Sequence, residues 1–145
     1  MKTKEIQEKL TAHMQTWQKI EDAAINNTAE VISKTDNPVI KLVMEIIQSD
    51  SRTHRKVQEF VESTFTEQAV NLSTEDLATV WEVIEKHNDT EKKMLGNVNE
   101  ALESLKGKKM IVQEYFLNYL KQDEQKHNDL LAALEKVKGG IYPYA

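Results

Sequence analysis

Phe116-Leu117-Asn118-Tyr119-Leu120-Lys121-Gln122-Asp123-Glu124-Gln125-Lys126-His127-Asn128-Asp129-Leu130-Leu131-Ala132-Ala133-Leu134 is the stretch from which the fold is read. Phe116, Leu120, Leu130, Leu131 and Leu134, with Val112 before them, recur at helical spacing and mark one face of an amphipathic α-helix. Between them the same face passes through Glu124 and His127, so the apolar stripe turns ionisable at its middle.

The neighbouring sequence repeats this pattern three times. Glycine and proline number only 4 and 2, so turns are few and their signals stand out. Lys34-Thr35-Asp36-Asn37-Pro38 offers a cap residue followed by proline at the first helical position. Ser73 with Asp76 three residues on resembles a capping box with a shortened acid, and Lys106-Gly107-Lys108 reads as a helix end at glycine. These signals predict helices over about 3–34, 38–64, 74–105 and 109–137, with a tail over 138–145.

The first segment carries Ile6, Leu10, Met14, Trp17, Ile20, Ala24 and Val31 at three- and four-residue steps; the second carries Val39, Val43, Ile46, Ile47, Val57, Phe60 and Val61. The third carries Leu77, Val80, Trp81, Ile84, Leu95, Val98, Leu102 and Leu105. No segment sustains the period-two alternation of a strand. Short connections make successive helices antiparallel, so the expected fold is an all-α, single-domain, up-down-up-down four-helix bundle with crossing angles near ~20°.

Composition narrows the chemistry. The chain has 145 residues, no cysteine and a formal net charge of -5. Without cysteine there is no disulfide scaffold, thiolate zinc site or cysteine nucleophile, so any metal is held by histidine and carboxylate. The acidic balance gives no general field for nucleic acid or an anionic membrane, so neither is expected as a partner. No apolar run approaches the roughly 20 residues of a membrane span, and Met1-Lys2-Thr3-Lys4-Glu5 lacks a signal-peptide character; the expected location is cytoplasmic. Phosphate loops, Walker sequences and Gly-x-Ser-x-Gly elbows are absent from the sequence.

The stripes fail at one level. In the second segment Asp50 and His54 interrupt Val39, Val43, Ile46 and Val57; in the third, His87 and Glu91 interrupt Ile84 and Leu95. Glu124 and His127 do so in the fourth, while Glu21 sits at the stripe's edge in the first. Counted from turns at Asp36 and Gly107, all seven lie roughly 14 to 20 residues away, a spread of about 9 Å along the axes. Burying so many charges requires mutual pairing or a metal. Glu124 with His127, and His87 with Glu91, each present two ligands from one helical face, and the donor set suits Fe or Mn, with Zn as an alternative.

Glu124-Gln125-Lys126-His127 resembles the Glu-x-x-His ligand motif of the ferritin-like carboxylate proteins, which include ferritins and rubrerythrins. In that family two helices each give one glutamate and two each give Glu-x-x-His. The resemblance matches Glu21 and Glu91 to the single glutamates, Glu124 and His127 to one motif, and His54 to the histidine of the other. Ser51 stands where that second motif has glutamate, with Asp50 one residue away. A weak internal repeat follows the same plan: Ile47 to His54 parallels Leu120 to His127, and Trp17 to Glu21 parallels His87 to Glu91.

The roughly nine residues between helices two and three reach about 30 Å, too short for a ferritin crossover along a helix of about 40 Å or more. Hemerythrin-like proteins share the His-x-x-x-Glu form of His87 and Glu91 but need more histidines than the 4 present. What the ferritin-like resemblance implies is one or two metal ions and a di-metal oxidoreductase acting on dioxygen or peroxide; Ser51 argues against a complete di-iron oxidase.

The rival from another class is a non-enzymatic interaction bundle. Its polar layer would set helix register, and its tail Ile141-Tyr142-Pro143-Tyr144 would clasp a second subunit in a homodimer. Hydrolytic zinc chemistry is the third alternative. Asp123 reads as an outer acceptor that orients a histidine, and His13 as surface. Trp17 and Trp81 read as apolar caps of the layer.

Overall fold

The structure, a computed structural model, describes residues 2–68 and 70–139, so the tail segment Ile141-Tyr142-Pro143-Tyr144 lies outside the described residues. The chain is all-α: α1 spans Thr3–Ser33, α2 Pro38–Thr66, α3 Thr74–Ser104 and α4 Ile111–Lys138. Among the described residues there is no strand. The helices pair in sequence order, α1 on α2 and α3 on α4, as the antiparallel four-helix reading requires. The chain divides into two compact units, 1–70 and 71–145, each holding one such hairpin.

Local chemistry sets the helix ends. At the start of α2, Asn37 Oδ1 accepts from the backbone N–H of Val39 at 2.9 Å and of Ile40 at 3.3 Å, and Pro38 follows at the first helical position, where its missing N–H costs nothing. At the start of α3, Ser73 Oγ accepts from Asp76 N at 3.0 Å. The Asp76 carboxylate does not reach back to the cap backbone as a glutamate does in a capping box. It accepts from the Ser73 hydroxyl at 2.7 Å instead, as expected of a side chain one methylene shorter. Gly107, at φ 72°, makes the left-handed turn out of the third helix. The fourth helix then begins two residues later than its charge pattern suggests, behind Met110, whose side chain makes no cap bond.

The two hairpins bury different things. In the second, Leu77, Val98 and Val137 are buried, and Trp81, Ile84, Leu95, Leu102, Phe116, Leu120, Leu131 and Leu134 are half-buried. Its seam follows the apolar stripe read from the sequence except at Val80, Val112 and Leu130, which are exposed. In the first hairpin Met14 is buried and Ile25, Ile32, Val39, Val43, Ile46 and Val61 are half-buried, and polar side chains bridge the two helices beside them. Gln15 and Gln18 each donate to a different oxygen of Glu62, both at 2.7 Å, and hold its carboxyl below the usual carboxylate range. Gln58 donates to Glu21 at 3.3 Å, Arg55 to Asp22 at 2.6 Å and Gln48 to the Ile25 carbonyl at 3.2 Å. Along these bonds the α1 partner's number rises as the α2 partner's falls, which fixes the pair as antiparallel.

Met14, Thr28 and Ser51 are the buried residues of that seam, and the Thr28 hydroxyl is satisfied by donating to the Ala24 carbonyl at 2.9 Å. The stripe residues Trp17, Ile20, Val57 and Phe60 are 45%, 60%, 55% and 56% exposed. They lie beside the seam, not in it. Trp17 therefore differs from its sequence reading as an apolar cap; it is an exposed ring stacked on His13 at 5.8 Å between centroids. No helix among the described residues is long and apolar enough to cross a membrane.

Candidate metal centre

α3 contributes Glu91 and α4 contributes Glu124 and His127 to one cluster in the second hairpin. Glu91 occupies the position where the seam stripe Leu77, Trp81, Ile84, Leu95, Val98 passes its middle, and packing of the two helices buries it. Glu124 and His127 are three apart, so one face of α4 presents both. One ligand atom from each of the three lies within 4.8 Å of the others. Among the described residues this is the group of three such ligands brought so close.

Around that core the carboxylates and imidazoles contact one another. Glu91 Oε1 meets His87 Nε2 at 2.8 Å, and Glu91 Oε2 meets His127 Nδ1 at 3.5 Å. The other ring nitrogen, His127 Nε2, lies 3.4 Å from Asp123 Oδ2, whose second oxygen is held by Lys126 Nζ at 2.8 Å. Glu124 Oε2 is cut off from solvent and has no hydrogen-bond partner; His127 Nδ1 stands 3.8 Å from it, beyond hydrogen-bond reach.

The two glutamates titrate as a pair. Their mutual hydrogen bond holds Glu91 below the ordinary carboxylate range and, together with burial, pushes Glu124 above it. The two adjacent carboxyls repel as anions, so the charged form is favoured on Glu91 and the neutral form on Glu124. A cation placed among the three donors would favour the charged form of both and serve the unpartnered oxygen of Glu124. The donor set, two carboxylates and one imidazole without thiolate, is one that iron, manganese and zinc all accept.

The remaining sequence-predicted residues fall as follows. His87 is outside the three-member cluster; its side chain is 59% exposed and touches the cluster only through Glu91 Oε1. The stripe position it was expected to fill belongs to its neighbour Asn88, which is half-buried. In the first hairpin His54 Nδ1 lies 3.5 Å from Glu21 Oε1, the same contact that His127 makes with Glu91. Ser51, buried on α2, holds the place that Glu124 holds on α4, and Asp50 beside it is half-buried. The first hairpin therefore has the glutamate–histidine pair without the second carboxylate. Gln58, which donates to Glu21, was not singled out in the sequence, although it stands at helical spacing four residues after His54 and three before Val61.

No family model matches the chain, and no curated protein or solved structure matches it either.

Proposed function

We propose that the chain is a metal-binding protein whose second hairpin holds one iron or manganese ion, with zinc as the alternative, between Glu91, Glu124 and His127. The observation that carries this reading is the solvent-excluded, unpartnered Oε2 of Glu124 within a few ångströms of two further donor atoms. The resemblance to the ferritin-like carboxylate proteins supports it, since these three residues are among those the resemblance matches. Three protein ligands leave coordination positions open, and a bound iron or manganese would supply redox chemistry toward dioxygen or peroxide there. The chain's own residues do the rest: Glu91 and Glu124 offset the cation's charge and His127 adds a neutral donor.

The test is elemental analysis of protein purified without chelator after growth with iron, manganese and zinc supplied. About one ion per chain is expected in the wild type and none in His127→Ala. Metal absent from the wild type, with melting unchanged by EDTA, overturns the proposal.

A second reading has its own observation. With Glu124 pushed above the ordinary carboxylate range, the pair carries less than two charges without any cation, so the layer serves on this reading solely to set helix register in a non-enzymatic bundle. The same EDTA melt separates the two, because a register layer has no metal to lose.

A further inference from the structure

Resting on the metal-centre reading, the geometry points to Asn128 as a fourth donor of that site, a neutral amide oxygen that favours manganese over zinc. Among the described residues, Gln58 Oε1, Glu124 Oε2 and Asn128 Oδ1 are cut off from solvent and have no hydrogen-bond partner. Two of these oxygens belong to α4, and they stand four residues apart, one turn along one face of the helix. Seen down the helix axis, Asn128 lies about 40° to one side of Glu124 and His127 about 60° to the other. The carboxylate is thus flanked by the imidazole and the amide. A solvent-excluded oxygen without a donor is unfavourable unless something supplies the missing positive charge. Glu124 Oε2 lacks the same thing one turn away, and one cation serves both.

The first hairpin offers a comparison. With Ile47 to His54 aligned on Leu120 to His127, Ser51 stands for Glu124 and Arg55 for Asn128. Arg55 carries its own positive charge and is bonded to Asp22 at 2.6 Å and to Glu59. At both positions where α4 leaves an oxygen unserved, α2 has a hydroxyl or a cation instead. With Asn128 included, the donors of the second hairpin are three oxygens and one nitrogen. Zinc is satisfied by three protein ligands and a water in tetrahedral geometry, whereas manganese takes more ligands and suits carboxylate and carbonyl oxygens. An added amide oxygen therefore contributes more to manganese binding than to zinc binding.

Manganese and zinc, titrated separately into full-length protein and followed by calorimetry, are the probes, with the paramagnetic resonance of manganese as a second readout. Asn128→Leu keeps a branched side chain and removes its oxygen. The metal-free variant is expected to melt at or above the wild type, because an unserved buried oxygen is gone. Its manganese binding is expected to weaken about tenfold or more, and its zinc binding by less than about threefold. Asn128→Asp, which keeps an oxygen in the same place, is expected to retain manganese. Unchanged manganese affinity in Asn128→Leu, equal losses of manganese and zinc, or a loss of manganese in Asn128→Asp as large as in Asn128→Leu overturns the assignment of Asn128 and leaves the three-residue site standing. A wild type that takes up no manganese, iron or zinc overturns the site and this inference with it.

Discussion

The two hairpins share a plan and differ in what lies at the centre of it. Each sets a glutamate of its first helix 3.5 Å from the Nδ1 of a histidine on its second, Glu21 with His54 and Glu91 with His127. In the second hairpin the residue three before the histidine is Glu124; in the first it is Ser51. That one difference turns an ion pair into a three-donor cluster. The seams differ as well. The second hairpin closes over leucine, valine and aromatic side chains, and the first over Met14 and half-buried isoleucines and valines, with glutamine and arginine side chains bridging the two helices beside them. Polar bridges specify register through directional bonds, each contributing about 1 kcal/mol net, while apolar contact stabilises through area removed from water.

Replacing a seam residue strikes at the larger of these effects. Leu77→Ala removes one of the best-buried side chains of the second hairpin, 5% exposed, and is expected to cost ~2–5 kcal/mol in denaturant unfolding. A loss below about 1 kcal/mol would mean that the apolar seam does not hold this hairpin together.

Ser51→Glu would erase the difference between the two centres. The new carboxylate, unpaired at a buried position, should lower the stability of the metal-free protein by ~3 kcal/mol, and zinc should restore it while the bound stoichiometry rises by about one ion per chain. Unchanged stoichiometry would show that the first hairpin differs from the second in more than one residue. The converse comparison uses the histidines. His127→Ala is expected to weaken metal binding by about a hundredfold or more, and His54→Ala to leave it unchanged, by calorimetric titration. Equal losses would assign the first hairpin a share in the site.

The smallest effect is in the titration of Glu91 and Glu124. Because the folded-state value of Glu124 is raised, its contribution is present in acid and is lost as pH rises through that value. Because that of Glu91 is lowered, its contribution is present above the ordinary carboxylate range and is lost as pH falls through the lowered value. The metal-free pair is therefore most stabilising in the window between the two, where it holds one proton. Glu124→Gln supplies a permanent donor to Glu91, so its melting temperature should exceed the wild type's by ~2–4 °C at pH 8, about 1 kcal/mol, with the difference shrinking inside the window. Parallel pH profiles for the two proteins would dismiss this coupling. The same variant should bind metal more weakly, since an amide oxygen is a poorer ligand than a carboxylate.

Helix boundaries were legible because their causes are local. Asn37-Pro38, Ser73 and Gly107 act on the backbone within a few residues of themselves, and helices two and three start where those signals stand. Within each hairpin the level at which glutamate meets histidine was legible too, since rise per residue converts sequence distance directly into height. Azimuth was not. Neighbouring positions on a helix differ by about 100°, so His87 and Asn88 compete for one stripe, and only the packing of α3 on α4 turned Asn88 inward and left His87 at the rim. The same ambiguity placed Trp17, Ile20, Val57 and Phe60 beside the first hairpin's seam, which the amides of Gln15, Gln18 and Gln58 bridge.

The sequence alone determined that this is a helical, cysteine-free protein with a histidine and a carboxylate at one height within each hairpin, and that Glu124 and His127 share a face, because these follow from composition and helical period. Tertiary structure decided which of those groups meet. The cluster needs Glu91 from one helix against two side chains of another, and that meeting depends on helix rotation, which side-chain packing sets and spacing along the chain does not.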